Sequence, residues 1–269
     1  MSGLPDLCFH RRFVYVRAAA MSDSTIAADT LRRSAIAQID AEFVAIAAAQ
    51  IWLHDEGSRR HWSVQLQPYR LNRYAVTQQQ YHAVLGLAAP APEQACKPVV
   101  EVSWYEAIAF CNALSRSSGV EPAYAVDEDG TVRWLPQADG YRLPSEAEWE
   151  HACRAGSTQA RYGELDAIAW HAGNSAQQLH AVGTRDANAW GLYDMIGNAW
   201  EWCWDIFDAQ IYGEYRVFRG GGWADDARAC RAACRRKSHP TFRIDDLGFR
   251  LARAEAAGAA QAAASRRSG

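Results

Sequence analysis

The sequence has no apolar run approaching the about 18 residues that a membrane-crossing helix needs, so no membrane span is expected. Lysine and arginine never run beyond three in a row and the formal net charge is −3, which excludes the basic stripe of a nucleic-acid-binding domain. No Gly-rich loop has phosphate-cradling spacing, no Gly-x-Ser-x-Gly elbow occurs, and no His-x-x-x-His pair is present. The seven cysteines (Cys8, Cys96, Cys111, Cys153, Cys203, Cys230 and Cys234) are odd in number and irregularly spaced, unlike a secreted disulfide framework. Near the start, Arg17 interrupts the apolar stretch that follows Arg11 and Arg12, a poor pattern for a signal peptide. A cytoplasmic location is therefore expected, with Met21 as an alternative start.

What is present is apolar and aromatic. Of 269 residues, 49% are apolar, enough for one sizeable core. Eleven tryptophans alongside 19 glycines point to a loop-rich fold that fills space with large rings. The Ala-rich text within residues 22–50 reads as a helix, and residues 42–76 contain short β-rich runs at 42–46, 61–66 and 69–76. Thr77 opens a further helix. Ser103 with Glu106, and Ser145 with Glu148, form two capping boxes ahead of apolar helical faces, and Gly156 ends the second helix. Asp127–Gly130 is a hairpin turn between 122–126 and 131–135. Residues 157–190 read as a long loop, and 216–253 as strands joined by turns. The expected organisation is an N-terminal extension (1–37, partly disordered or helical), one α+β domain (38–254) and a disordered Ala/Arg/Ser tail (255–269).

The stretch Gly191–Trp202 carries the most chemistry. Asp194 and Glu201 bracket the Gly197–Asn198 pair, and small residues at 197 and 199 let the backbone turn and expose its carbonyls. Such a turn can close an oxygen cage around a hard cation such as calcium. An aromatic-rich turn packed into a core accounts for the same residues.

Four blocks occur in order: Val102–Cys111, Tyr141–Trp149, Gly191–Trp202, and Arg219–Trp223 with Leu247–Leu251. Together they closely resemble the formylglycine-generating enzyme (sulfatase-modifying factor) superfamily. The resemblance implies its variant of the C-type lectin fold: two main helices around small twisted antiparallel sheets, with much irregular structure. It also implies a calcium site made of Asp194 and Glu201 side chains with the carbonyls of Gly197 and Ala199. Asn174 matches the first position of a second calcium site, but the loop from Ser175 to Gly183 is short and lacks the expected Asp, so no ion is expected there.

The oxidase members of the family hold monovalent copper on two cysteines and convert a substrate Cys to formylglycine in a sulfatase peptide. Thiolates suit that soft ion. Cys230 falls at the first position. The second, five residues on, is Arg235, and the nearest thiol is Cys234. Residues four apart on a strand lie about 13 Å apart, so a copper bridge from Cys230 to Cys234 needs a helical turn or a bulge. Asp246 stands where the oxidases have Asn. An oxidase reading assigns catalysis to Cys230, Cys234 and Trp200. The alternative is a calcium-stabilised binding module without chemistry. Either way the resemblance places a groove for a peptide, protein or small-molecule ligand around Trp204, Trp223, Arg235, Phe242 and Asp246, in a monomer.

Overall fold

The computed structural model describes residues 23–255; the expectations for residues 1–22 and for the tail from 256 onward lie outside the described residues. The elements run α1 (Asp23–Ala41), β1 (Phe43–Ile46), β2 (Ala49–Asp55), β3 (Arg60–Leu66), β4 (Tyr69–Ala75), α2 (Gln78–Leu85), α3 (Trp104–Ser117), β5 (Tyr124–Val126), β6 (Val132–Trp134), α4 (Glu146–Arg154), α5 (Leu165–Ile168), β7 (Trp200–Ile206), α6 (Ala209–Tyr212), β8 (Arg216–Arg219), β9 (Arg235–Ser238) and β10 (Leu247–Ala254).

Local chemistry fixes the helix starts. The hydroxyls of Thr77, Ser103 and Ser145 each accept the backbone N–H of the residue three on, and Gln80, Glu106 and Glu148 reach back to the cap N–H. Each box satisfies two donors that the first helical turn leaves without partners.

Six strands form one sheet in the order β1-β4-β10-β7-β8-β9, and β2–β3 and β5–β6 are separate hairpins. β7 and β10 run parallel, so the large sheet is mixed and not purely antiparallel as expected. The long connection through β8 and β9 between them permits that pairing. Side-chain alternation then divides the interior. Trp200 and Trp202 of β7, with Leu247, Phe249 and Leu251 of β10, face a core that includes α3. Cys203 and Ala252 face a second core that includes Trp149 and Ala152 of α4. The sheet thus separates two hydrophobic layers, and α3 and α4 are the two main helices.

Three details differ from the sequence reading. The first helix ends at Ala41, and its Ala-rich continuation is strand β2. That strand is held by the full antiparallel register from Ala49↔Leu66 to Asp55↔Arg60. A single short helix, α5, interrupts the long loop.

Candidate functional site

The Gly191–Trp202 segment is a tight turn feeding β7. Asp194, Gly197 and Asn198 all have positive φ (53°, 78° and 62°). Gly197 is required there, because a Cβ would sit 2.4 Å from the Trp170 carbonyl oxygen. Asp194 is buried, and its Oδ2 accepts the Gly183 N–H at 2.7 Å. Its Oδ1 is buried with no partner among the described residues. Burial pushes this carboxyl up to about 6. An orphaned carboxylate oxygen of this kind suits a bound cation. Glu201 does not present a free carboxylate. Arg250 grips it through Nε and Nη2 (3.0 and 2.7 Å), and Trp149 Nε1–H donates to it at 2.7 Å. Asn174 is likewise occupied locally, donating to Asp166 and to the Ala169 carbonyl.

The two cysteines of the oxidase reading sit in different packing environments. Cys230 is fully buried in the α4-side core, its Sγ against Gly221, where a Cβ would lie 3.0 Å away. Burial raises its thiol to about 12. Cys234 is half-buried and packs against the other core; burial raises its thiol as well. The next position belongs to Arg235, a cation built into the fold by ion pairs. Its guanidinium binds Glu146 through two bonds (2.8 and 2.6 Å) and Asp55 at 3.0 Å, and lies 4.2 Å from the Phe207 ring centre. Glu146 in turn faces Arg219, which also pairs with Glu150. Burial thus disfavours the thiolate form at both positions.

Most of the expected groove residues are also placed differently. Trp200 is buried; its indole N–H donates to Asp225 Oδ2 at 2.6 Å and its ring is covered by Arg236 and Phe218. It therefore cannot touch a substrate directly. Trp204 stacks with Tyr124 and meets Trp104 and Trp134 in the α3-side core. Trp223 is half-buried and donates to the Asp245 carbonyl, and Phe242 stands on an exposed turn. Asp246 is buried against Gly222, where a Cβ would be 2.2 Å from its Oδ2. Burial, together with Asp225 and Asp245, raises Asp246 to about 6. What does converge is Trp200, Gly222, Asp225, Arg236 and Asp246, a largely buried cluster tied by Arg236–Asp225 at 2.8 Å. Asp225 and Arg236 gave no sequence signal beyond lying in a mixed-charge stretch. Two clefts, of about 450 and 550 Å³, flank Arg235 on either side of the β2–β3 tip and share Asp55, Phe207 and Arg235. None of Trp204, Trp223 and Phe242 lines them.

A sulfatase-modifying factor enzyme 1-like domain matches residues 33–255. The chain belongs to that family. Among curated relatives of this sulfatase-modifying factor-like protein, the Chaperone protein LppX of Paenibacillus barcinonensis is 30% identical over 231 residues, covering 72% of the chain and 82% of LppX. The formylglycine-generating enzyme of Streptomyces coelicolor is 31% identical over 188 residues; the match takes in 58% of the chain and only 52% of that enzyme. Among solved structures, Treponema denticola variable protein 1 superposes with a TM-score of 0.72 at 33% identity, over 79% of this chain and 95% of that one. The fold is therefore the formylglycine-generating-enzyme variant of the C-type lectin fold. No helix among the described residues is long and apolar enough to cross a membrane.

Proposed function

We propose that this sulfatase-modifying factor-like protein is a recognition module that keeps the family scaffold and lacks the two-thiol oxidation of its formylglycine-generating members. The observation that carries the reading is Arg235. At the position of the second thiol stands a cation neutralised by Glu146 and Asp55, and Cys230 is sealed in the core. Burial holds the Cys230 thiol in its protonated form, so a soft metal would have to displace that proton inside the core. Within this reading calcium is a structural ion of the Gly191–Trp202 turn. Asp194 and the carbonyls of Gly197 and Ala199 would hold it, and its charge would meet the Asp194 oxygen that has no partner. Glu201 contributes by balancing Arg250.

The test is anaerobic titration of the reduced full chain with monovalent copper against a chromogenic chelator, followed by incubation with a Cys-Thr-Pro-Ser-Arg peptide and oxygen. The expected result is no one-to-one copper complex and no loss of the peptide thiol. A one-to-one complex abolished by Cys230→Ser or Cys234→Ser, with peptide oxidation, would restore the oxidase reading.

A further inference from the structure

The large sheet ends on an unpaired strand. Among the described residues β9 pairs only with β8, in the register from Arg216↔Ser238 to Arg219↔Arg235. Alternate backbone N–H and C=O groups of an edge strand point away from the sheet and stay available to another chain. Among the described residues no other backbone hydrogen bond reaches β9, and the cleft of about 550 Å³ is lined by Arg235, Arg236 and Lys237 of β9 and by Asp55, Glu56 and Gly57 at the tip of the β2–β3 hairpin.

The cleft has a charge preference. Five cationic side chains line it against three carboxylates. Arg231, Arg235 and Arg236 are each neutralised, by Glu56, by Glu146 and Asp55, and by Asp225. Lys237 and Arg228 have no ion pair among the described residues. The Lys237 ammonium instead lies 4.5 Å from the Phe207 ring centre and 4.1 Å from that of Tyr212, a geometry that leaves its charge open to an incoming anion. Beyond the end of β9 the surface turns apolar: Ile211 is 70% exposed, with Tyr212 and Tyr215 beside it, and Tyr215 reaches His239 at 6.0 Å. Edge strands are commonly guarded by Lys and Arg against self-association. The same guard cations, once unpaired, select a partner of opposite charge.

We propose that the free edge of β9 receives an extended, acidic segment of a partner protein, which joins the sheet as a seventh strand. This rests on the recognition reading above and gives it a surface. Main-chain hydrogen bonds supply the affinity, Lys237 and Arg228 meet carboxylates on the segment, and the Tyr212–Tyr215 patch takes an apolar residue at its end.

The experiment is fluorescence anisotropy of the full chain with a fluorescein-labelled acetyl-Glu-Val-Glu-Thr-Glu-Val-amide. Comparators are its Lys-for-Glu counterpart and two forms N-methylated at either the Glu or the Val and Thr amides. The acidic peptide is expected to bind saturably and the basic one not to bind. One N-methylation pattern should abolish binding while the other leaves it unchanged, because only alternate amides face β9. Lys237→Gln combined with Arg228→Gln, both outside the cores, should weaken binding roughly fivefold without moving the thermal midpoint. Equal binding of both N-methylated peptides, or full displacement by inorganic polyphosphate, would reduce the site to an anion patch and overturn strand addition. No binding at all also overturns it. In that case, continued absence of copper binding would leave the recognition reading standing on another surface, whereas thiol-dependent copper binding would remove that reading itself.

Discussion

Asp194 and Glu201 look alike in the sequence and end in opposite electrostatic states. Glu201 has a buried guanidinium wrapped around it; Asp194 has one backbone N–H and an orphaned oxygen. A carboxyl raised from 3.8 to about 6 binds its proton more tightly in the folded state than in the unfolded one. Its contribution to stability is therefore full at low pH and is lost as pH rises from about 4 through about 6. At pH 7.5 without calcium the ionised Asp194 costs up to about 3 kcal/mol. Asp194→Asn keeps an acceptor for the Gly183 N–H and removes that cost. In chelator at pH 7.5 the variant is expected to melt at or above the unmodified chain. Added calcium should raise the midpoint of the unmodified chain and leave Asp194→Asn unmoved. A calcium shift of equal size in both proteins would take the ion away from this turn.

At the scale of elements, α4 concentrates the charge of the fold. Its Glu146, Glu148 and Glu150 are all buried, and Arg235, Arg142, Arg219 and Arg154 answer them. Breaking one side of such a network leaves a buried charge, a cost of about 3–5 kcal/mol. Arg235→Met should therefore lower the urea midpoint sharply and loosen the β2–β3 hairpin that Asp55 ties down. Arg133→Met, which breaks the exposed pair with Asp127, should leave the midpoint where it is. Removing one cap hydroxyl, as in Ser145→Ala, belongs between these two at about 1 kcal/mol. This contrast also marks what the sequence made legible. The cap at Ser145 and its partner Glu148 are three residues apart, so the start of α4 could be read locally, as could those of α2 and α3 and the Asp127–Gly130 turn. The partners of Glu146 and Asp55 lie 89 and 180 residues away on β9. A charged triplet on a helix reads as a solvated face until those distant arginines are known. β2 was hidden for the related reason that its partner β3, and not its own Ala-rich approach, decides its conformation. Trp200 and Trp204 were read apart from the core because their alternation with Trp202 on β7, which puts all three on one buried face, shows only once that strand is known.

For the whole molecule these local states add into a pH profile. Asp194, Asp205 and Asp246 are each raised to about 6, chiefly by burial. All three hold protons in the folded state that the unfolded chain has already released above about pH 4, so each makes stability fall as pH rises through that window. Other groups act in the opposite direction, among them Asp55 and Glu56 at the β2–β3 tip. Asp55 and Glu56 are lowered below 3.8 and 4.5, overall by the hydrogen bonds and charges they receive from Ser58, Gly57, Arg235 and Arg231. Their contribution is present above those values and is lost as pH falls below them. His151 is lowered from 6.5 by burial, so its contribution grows as pH rises toward 6.5 and is lost on the acid side. One histidine set against three aspartates leaves the balance with the aspartates. The calcium-free chain should be most stable near pH 4 and lose several kcal/mol by pH 7.5, as read from urea midpoints at half-unit steps. Asp194→Asn should flatten that descent by its own share, and calcium should flatten it in the unmodified chain by holding Asp194 ionised. A midpoint that climbs steadily from pH 5 to 7.5 would mean that the three buried aspartates do not govern the profile, and that Asp194 has a partner in solution at every pH.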